Sequence, residues 1–498
     1  MIVGFQKSVQ TVACFLLPLA HGLPTESNHD GLLVYTNHFA VRGVPWSNTT
    51  GVSFWGGIPY AEPPIGELRF RPPVTKRPSN ETIDASWFGP SCIQYNSGQK
   101  TVYSEHLKGF LLTPGQEQSE DCLTLNIWAP TKGNPAEPLP VMIWIHGGGF
   151  TSGGSASPYK YGDRLAKDQN VIVVAINYRL NIFGYPNSAA LDGKNLNPGL
   201  LDHRKAVEWV YDNIGAFGGD PGRMILFGQS AGGMAVDKYA YAYPEDPIVK
   251  GFIAQSGTAS GGASNDPTNS NFTYLAFQVG CSSASNDEVF SCMQKANATT
   301  IIEVLNKYNA SSNDGRSLSF APSPDNITSF SNYTDRQIRG RFARLPTILA
   351  QVDNEGASLV PYNPAGPNQT AVDAFTRNIA TCPGAQGALA RKNFGVPVWR
   401  ARYFGEWPNL NPFSWLRAYH SSDIPMVFGT ADLLGPNTPA EIETSRYMQS
   451  AWAVFAKDPQ HGLDWPTYDP TADTLVKLGF ENNTQAVLGR GNEFDGLC

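Results

Sequence analysis

The sequence predicts an α/β fold in which a large, mostly parallel central sheet has helices on both faces and a small antiparallel edge near the N-terminus. Fully apolar segments of strand length alternate with helical segments, which is typical of parallel strands buried on both faces. Polar, glycine-rich motifs directly follow several apolar segments, where such a sheet binds its ligands. The chain has 498 residues, 41% of them hydrophobic, enough for a large buried core.

The first 22 residues have the features of an export signal. Lys7 precedes an apolar run over residues 12–19, and Ala-His-Gly at 20–22 has the composition of a cleavage site. The run is too short to span a bilayer, and no later stretch has the roughly 18 apolar residues that a membrane helix needs. We therefore expect a secreted protein without stable membrane insertion, with one domain over residues 23–498.

Short alternating stretches at 32–35 and 52–55 predict the strands of the antiparallel edge. The following segment, between Cys92 and Cys122, contains an amphipathic stripe that predicts a short helix ending at Pro114. Four apolar side chains fall on one face of that helix: Tyr103, Leu107, Phe110 and Leu111. Two interpretations fit this stripe equally: a lid over a substrate entrance, or a helix packed permanently on the body.

The remaining strands of the predicted sheet are apolar runs, and a helix is expected over 202–213. The runs are 123–128, 141–145, 171–176, 224–227, 252–256, 347–352 and 424–429. The run at 224–227 leads into Gly-Gln-Ser-Ala-Gly, and a helix start follows. A serine on such a strand-to-helix turn presents its hydroxyl at the carboxyl edge of the sheet. Ser230 is therefore the candidate nucleophile.

A serine nucleophile needs a histidine base, and the base needs an orienting carboxylate. In this architecture the chain order is serine, acid, histidine. Glu355 follows the strand at 347–352 and is the candidate acid, with Asp353 as its rival. Two histidines lie downstream. His420 precedes the predicted strand at 424–429 and is the preferred base, whereas His461 is expected on an exposed turn.

Attack on a carbonyl creates an oxyanion that backbone N–H groups stabilise. Gly147, Gly148 and Gly149 directly follow the strand at 141–145, and only glycine allows such close backbone approach. Ala231, the residue after the nucleophile, supplies another N–H at a helix N-terminus. The glycines do not resemble a phosphate-binding loop, because no Gly-Lys-Ser/Thr follows them.

The cysteine count favours disulfides. Of seven cysteines, Cys14 lies in the predicted signal, and the remaining even number suits an oxidising compartment. Nearest-neighbour pairing gives Cys92–Cys122 and Cys281–Cys292, which leaves Cys382 with Cys498. A zinc site is the alternative, but no Cys-x-x-Cys spacing supports it, and we expect no metal.

Charge and glycosylation motifs agree with export. With a net charge of −7, the chain has no excess of basic residues for binding nucleic acid. Nine Asn-x-Ser/Thr motifs are candidate glycosylation sites: Asn48, Asn80, Asn271, Asn297, Asn309, Asn326, Asn332, Asn368 and Asn482.

Taken together, these motifs resemble the type-B carboxylesterase/lipase family, the α/β-hydrolases that include cholinesterases and fungal lipases. The resemblance covers nearly everything after residue 31. It is carried by residues 57–61, 68–70, 120–126, 146–150, 177–179, 227–233, 255–257 and 420–429. Cys92–Cys122 and Cys281–Cys292 match the family's two common bridges.

The resemblance implies that Ser230 is the nucleophile, Glu355 the triad acid and His420 the general base. The family's use of glutamate favours Glu355 over Asp353. The resemblance further implies an oxyanion hole and two residues beside the triad. The oxyanion hole consists of Gly148, Gly149 and Ala231, and the neighbours of the triad are Ser256 and Gln229.

Three departures from the family pattern bear on the substrate. Gln229 stands where the family often has glutamate. The 92–122 loop contains no tryptophan for a quaternary ammonium, so choline esters are not expected. Ala263 stands where cholinesterases have tryptophan, which implies a wider acyl pocket.

The resulting hypothesis is a secreted serine esterase that needs no cofactor and acts on small-molecule esters or lipids. The short stripe near Tyr103 favours soluble or medium-chain substrates over oil surfaces. The alternatives are a triacylglycerol or sterol-ester lipase, an enzyme that acts on an amide or in a biosynthetic pathway, and a non-catalytic binding protein on the same scaffold.

Overall fold

The computed structural model describes residues 32–95, 100–131, 137–264, 266–310 and 318–498. The predicted export signal at 1–22 and Cys14 lie outside the described residues. Within the described ranges, no helix combines the length and the apolar character required to cross a bilayer.

The strands of the described residues are β1 (Leu33–Tyr35), β2 (Ala40–Arg42), β3 (Val44–Pro45), β4 (Val52–Pro59), β5 (Thr82–Asp84), β6 (Ser91–Cys92), β7 (Gln118–Ser119), β8 (Thr124–Pro130), β9 (Leu139–Ile145), β10 (Ile172–Ile176), β11 (Gly219–Gln229), β12 (Gly251–Gln255), β13 (Thr347–Val352), β14 (Val398–Tyr403), β15 (Asp473–Leu478) and β16 (Val487–Arg490).

The α-helices are α1 (Val102–Glu105), α2 (Asp163–Gln169), α3 (Asn181–Gly184), α4 (Pro198–Asn213), α5 (Ala231–Ala242), α6 (Ser270–Val279), α7 (Asn286–Lys295), α8 (Ala298–Ala310), α9 (Tyr333–Ile338), α10 (Gln369–Thr376), α11 (Cys382–Asn393), α12 (Ile424–Phe428) and α13 (Pro439–Lys457).

One eleven-stranded sheet dominates the fold, in the order β16-β15-β14-β13-β12-β11-β9-β10-β8-β4-β3. The strands from β15 to β10 in that order pair in parallel. Antiparallel strands complete both ends, with β8, β4 and β3 at one edge and β16 at the other. The predicted fold class is thus confirmed, and the stretch at 52–55 lies in the antiparallel edge, whereas the strand of the stretch at 32–35, β1, lies in a separate three-stranded sheet with β2 and β5.

Helices cover both faces of this sheet. Alternate residues of β9 point to opposite faces, so Ile143 belongs to one hydrophobic core and Trp144 to the other. The first core also contains Ala235 of α5, and the second contains Trp452 of α13. Burial on both faces explains why the parallel strands are apolar throughout.

The predicted strand at 424–429 is wrong, because these residues form helix α12. Every residue of α12 is buried, so its apolar run has no exposed side from which a period could be read. Pro425 lies in the first turn, where its missing N–H leaves no helical hydrogen bond unmade. Gly429 ends the helix with a φ of 71°.

Two parallel strands of the sheet, β14 and β15, are absent from the sequence prediction. β14 contains Arg400 and Arg402, which make it look like a polar segment. Both arginines are buried against carboxylates: Arg400 pairs with Asp495 and Arg402 with Asp353. A charged side chain is tolerated in a buried strand where a residue distant in the sequence supplies an oppositely charged partner. A local pattern of apolar residues does not show which residue that partner is.

The segment between Cys92 and Cys122 is less regular than the predicted helix. Thr101 caps the four-residue helix α1, and a separate 3-10 turn follows at Lys108–Phe110. The broken helix still buries Leu107 and Phe110, whereas Leu111 is 41% exposed. The apolar stripe is therefore largely packed against the body of the protein.

Three disulfides have the pairings expected from the sequence: Cys92–Cys122, Cys281–Cys292 and Cys382–Cys498.

Seven candidate glycosylation sites are exposed: Asn48, Asn80, Asn297, Asn326, Asn332, Asn368 and Asn482. Position 309 lies in α8. Asn271 conflicts with its expected role, because it is buried and its Nδ2, the atom a glycan would occupy, donates to the Ser319 carbonyl at 2.9 Å.

Candidate active site

Ser230 lies on the turn between β11 and α5, as the motif predicts. Its backbone has φ 60° and ψ −126°, a conformation that costs a non-glycine residue about 1–3 kcal/mol. Two backbone hydrogen bonds of 2.8 Å hold the turn: the Ser230 N–H donates to the Gln255 carbonyl, and the Met234 N–H donates to the Ser230 carbonyl. The strained turn presents the side chain above the carboxyl edge of the sheet.

The two glycines of Gly-x-Ser-x-Gly are required by packing. A Cβ at Gly232 would lie 2.0 Å from the Ile145 carbonyl oxygen, on the neighbouring strand β9. A Cβ at Gly228 would lie 2.7 Å from the backbone of Gly232. Because no side chain fits at either position, helix α5 can begin directly against the sheet, which fixes the position of Ser230.

Glu355 and His420 meet although 65 residues separate them in the chain. Glu355 Oε2 lies 2.5 Å from His420 Nδ1, and both side chains are buried. The other oxygen, Oε1, accepts the backbone N–H of Val352 at 3.0 Å. Both carboxylate oxygens therefore have partners, and the glutamate holds the imidazole with its Nδ1 proton directed at the acid.

The rival residues have other partners. Asp353 forms ion pairs with Arg402, at 3.0 Å, and with Arg417, so its carboxylate ties the two arginines to the end of β13. The His461 side chain is 79% exposed and pairs with Asp458. Neither residue is directed at the Ser230 turn through a described contact.

His420 contacts the residue that directly precedes the serine. Gln229 Nε2 donates to His420 Nε2 at 3.1 Å, inside a buried environment. Among the described residues, Ser230 Oγ forms no hydrogen bond. Nucleophile–base contacts are often open before a substrate binds, so the geometry remains compatible with proton transfer from Ser230 to His420.

The glycine loop after β9 lies against the serine. A Cβ at Gly147 would be 2.9 Å from Ser230 Cβ, and Gly148 has a φ of 123° that favours glycine. In the described residues, the N–H groups of Gly148, Gly149 and Ala231 donate to no protein acceptor. Three predicted donors are thus available close to the turn that carries Ser230.

His146 anchors the start of this loop. Its Nδ1 donates to the Gly147 carbonyl at 2.8 Å, and its ring stacks on Tyr178 with a centroid separation of 4.4 Å. Burial lowers the pKa of His146 to about 3, so the imidazole is neutral near pH 7 and its Nδ1 proton serves this hydrogen bond.

A buried polar network lies beside the proposed acid–base pair. Gln255 Nε2 donates to Asp423 Oδ2 at 2.7 Å, and Gln255 Oε1 accepts from Trp452 at 3.0 Å. Burial raises the pKa of Asp423 to about 6, and the nearby Glu355 carboxylate acts in the same direction. Ser256 Oγ is buried without a hydrogen-bond partner among the described residues, although its backbone N–H donates to Ala350.

Asp423 and Gln255 are not among the functional residues predicted from the sequence. Asp423 lies three positions after His420, and Gln255 directly precedes Ser256, so both fall inside motifs that were used for the resemblance. That proximity is the signal that could have found them. The hydrogen bond between them joins β12 to the start of α12, which only the tertiary structure places together.

The assembled groups suit one type of chemistry. A hydroxyl lies on a strained turn, a carboxylate-oriented imidazole contacts the residue before it, and a glycine loop with unpaired N–H donors lies against the same turn. Such an arrangement is suited to nucleophilic attack on a carbonyl carbon, with the N–H groups stabilising the resulting oxyanion. The described residues contain no group of His, Cys, Asp and Glu that could hold a metal ion.

Comparisons with known proteins agree with this chemistry. A sequence model of the carboxylesterase family matches residues 32–376, which include Ser230 and Glu355. The chain is 40% identical over 496 residues to a chlorogenic acid esterase of Aspergillus niger, covering 95% of each sequence. It is 38% identical to secreted lipase 5 of Gibberella zeae, covering 86% of this chain and 87% of the lipase. It is 29% identical to the para-nitrobenzyl esterase of Bacillus subtilis, covering 91% and 97%.

Proposed function

This chain belongs to the carboxylesterase family and is a carboxylic ester hydrolase, and from that premise we propose that it hydrolyses soluble esters through an acyl-enzyme on Ser230. His420 is the proposed general base and Glu355 its orienting acid. The observation that carries this proposal is the 2.5 Å contact between Glu355 and His420, beside the strained turn of Ser230.

In the proposed acylation step, Ser230 Oγ attacks the ester carbonyl and gives its proton to His420 Nε2. The imidazolium then protonates the leaving alcohol. Glu355 favours this transfer because its carboxylate lies against the Nδ1 proton and stabilises the positive ring. The N–H groups of Gly148, Gly149 and Ala231 bind the oxyanion, and one such donor contributes roughly 3 kcal/mol in comparable sites. Water releases the acid by the same steps in reverse.

Gln229 contacts the ring nitrogen that acts as the proposed base. Its amide occupies His420 Nε2, the nitrogen that receives the serine proton. The contact therefore has to be exchanged for one with Ser230 when substrate binds. Because the amide donates to a neutral ring nitrogen, it favours the same tautomer as Glu355, with the proton on Nδ1.

Packing of the Cys92–Cys122 segment supports soluble substrates over oil surfaces. The His106 ring contacts Phe413 edge-on at 4.8 Å, and Phe110 packs on Tyr159 at 4.7 Å. His106 Nε2 also lies 2.8 Å from the Tyr362 hydroxyl. These contacts hold the part of the segment around His106 and Phe110 against the body, whereas a lipase lid has to leave it. The relative named chlorogenic acid esterase supports the same substrate class.

Lipase activity is the second candidate, supported by the relative named secreted lipase 5. The two candidates differ in the physical state of the substrate, because a lipase acts on an emulsion that an esterase uses poorly. The exposed Leu111 provides only a small apolar surface for such an interface.

The test is to measure initial rates with chlorogenic acid, with p-nitrophenyl esters from acetate to palmitate, and with emulsified tributyrin. We expect hydrolysis of the soluble esters by the wild-type protein and a loss of at least about 10⁴-fold in the Ser230→Ala variant. A rate maximum on the emulsion would instead favour the lipase. Full activity of Ser230→Ala would overturn the proposed nucleophile, and a wild-type protein inactive on every ester would favour the binding-protein interpretation.

We also propose that the protein is secreted as a single domain that begins at Leu23. Three disulfides and the exposed glycosylation motifs support an oxidising, extracellular compartment. N-terminal sequencing of the protein from culture medium should find Leu23 first. Retention inside the cell with an intact N-terminus would contradict this proposal.

A further inference from the structure

One hydroxyl group contacts both the backbone of His420 and the turn that begins with Glu355. Tyr103 donates its hydroxyl hydrogen to the His420 backbone carbonyl at 2.6 Å. The same oxygen lies 2.8 Å from Ser358 Oγ and accepts the serine hydrogen. Ser358 ends the 3-10 turn Glu355–Ser358, which begins with the proposed acid. The Tyr103 hydroxyl thus links the turn that carries Glu355 to the backbone of His420.

The same disulfide loop also holds the glycine loop. Gln94 Oε1 accepts the Gly153 N–H at 2.9 Å, and Gln94 Nε2 donates to the Gly153 carbonyl at 2.9 Å. Gly153 packs directly under the loop, because a Cβ there would lie 2.4 Å from the Gly147 carbonyl oxygen and 2.8 Å from His146 Nδ1. One amide side chain therefore fixes the backbone on which the predicted oxyanion donors depend.

The base of this loop is itself constrained. Cys92 is bonded to Cys122, and β6 pairs with β7 next to the bridge. Gln94 lies two residues after Cys92, so its amide is presented from a fixed point. Tyr103 lies in α1, whose first turn is held by a capping box at Thr101. Both contacts thus begin from ordered backbone.

We propose that Tyr103 and Gln94 are positioning residues that hold the general base and the oxyanion loop in place beside Ser230. In this proposal the Cys92–Cys122 loop is a buttress of the active site, because it carries both residues. This inference rests on the proposed function of Ser230, Glu355 and His420. The loop would contribute to the chemical step rather than to the capture of substrate.

A purely structural role for Tyr103 is the alternative. The ring does pack, at 5.6 Å from Phe110 and 6.5 Å from Tyr419. The hydroxyl can be removed without the ring, however, so the two roles separate in a Tyr103→Phe variant. Burial raises the pKa of Tyr103 well above its ordinary value, so the group remains a neutral donor at every pH used for assay.

A matched control bonds to the same segment from outside it. The Tyr362 hydroxyl lies 2.8 Å from His106 Nε2, three residues after Tyr103 in the chain, and forms no described hydrogen bond to His420 or to the turn of Glu355. Tyr362→Phe therefore makes the same chemical change beside the same loop without touching the proposed linkage.

The experiment measures kcat and KM for p-nitrophenyl butyrate with the full-length wild type and the variants Tyr103→Phe, Gln94→Leu and Tyr362→Phe. Thermal unfolding shows whether each variant is folded, and titration with diethyl p-nitrophenyl phosphate counts its reactive sites. We expect kcat to fall about tenfold or more in Tyr103→Phe and in Gln94→Leu, with KM within about twofold of wild type, which corresponds to the loss of one or two hydrogen bonds. Tyr362→Phe should retain the wild-type kcat.

Equal kcat values for Tyr103→Phe and Tyr362→Phe, per titrated site, would overturn the role of Tyr103. A rise in KM with unchanged kcat would also overturn it, because that result describes a lid or a binding surface. If Tyr103→Phe does not fold, Gln94→Leu tests the buttress at its other contact by the same criteria. Full activity of Ser230→Ala would overturn the proposed function, whereas an inactive Ser230→Ala with a fully active Tyr103→Phe would overturn the inference alone.

Discussion

Glu355 Oε2 lies 2.5 Å from His420 Nδ1, and both side chains are buried at the carboxyl edge of the sheet. The aspartate two residues before Glu355 is also buried but is bound to Arg402 and Arg417 instead. The geometry therefore separates two neighbouring carboxylates into an acid that faces the imidazole and one that forms ion pairs.

Glu355→Gln should lower kcat by about 10³- to 10⁴-fold, because a neutral amide cannot stabilise the positive imidazolium. Asp353→Asn is the control and should change kcat per folded molecule by less than about threefold, since it removes only ion pairs. Steady-state kinetics with p-nitrophenyl butyrate checks both values. A larger loss in Asp353→Asn would make Asp353 the acid.

Gly148→Ala should lower kcat by about 10²-fold or more. Its Cβ would lie 2.0 Å from the Ser152 carbonyl oxygen. The loop therefore has to move, and its N–H groups no longer point at the oxyanion. In Gly149→Ala the nearest atom lies 3.7 Å away, and only the positive φ adds a cost of about 1–2 kcal/mol. The kcat values of the two variants should therefore differ, and the reverse order would contradict the assigned loop geometry.

Deletion of residues 101–112 tests the lid interpretation. A lid predicts a greater loss of activity on emulsified esters than on soluble ones. The contacts of Tyr103 and Phe110 instead predict a similar, large loss on both, because the deletion removes the hydroxyl that binds His420. Rates on tributyrin emulsion and on p-nitrophenyl acetate, each relative to wild type, distinguish these outcomes. Retained soluble activity would restore the lid interpretation.

Asp423 should make stability depend on pH. Burial raises its pKa from the ordinary 3.8 to about 6, so between these values the folded state binds more protons than the unfolded state. The contribution of Asp423 to the free energy of unfolding therefore falls as the pH rises from about 4 to about 6, by up to about 3 kcal/mol. Asp423→Asn removes this penalty and can still accept from Gln255.

The free energy of unfolding of Asp423→Asn minus that of the wild type should thus be more positive at pH 7.5 than at pH 4.5. Urea unfolding of both proteins at the two pH values measures the change. The same difference at both pH values would show that the carboxyl group does not titrate as described.

The Cys382–Cys498 bridge should matter for stability and not for catalysis. It closes a segment of 116 residues, for which chain entropy predicts a stabilisation of about 5 kcal/mol. The double variant Cys382→Ser/Cys498→Ser avoids a free thiol and should unfold at a lower temperature with kcat within about twofold of wild type. A large loss of kcat at 25 °C would place the C-terminus in contact with the active site.

Much of the fold could be predicted because local physics encodes it. Strands such as β9 and β10 are buried on both faces and therefore apolar throughout, which the sequence displays directly. The segment at 424–429 was misassigned because a helix buried on all sides has the same uniform apolar pattern. Strand β14 was missed for the opposite reason, since the carboxylates that neutralise Arg400 and Arg402 lie far away in the chain.

The candidate site divides in the same way. The sequence by itself determined the strained turn at Ser230 and the glycine loop at Gly148, because both depend on glycine spacing next to an apolar strand. The expected chain order of the proposed nucleophile, acid and base also follows from the sequence motifs. Only the tertiary structure decided that the side chain of Glu355, which the family resemblance already favours over Asp353, lies against His420, and that the Tyr103 hydroxyl binds the His420 carbonyl. The physical reason is that these contacts depend on strand register and on side-chain direction across separations of 65 and 317 residues, which no local pattern records.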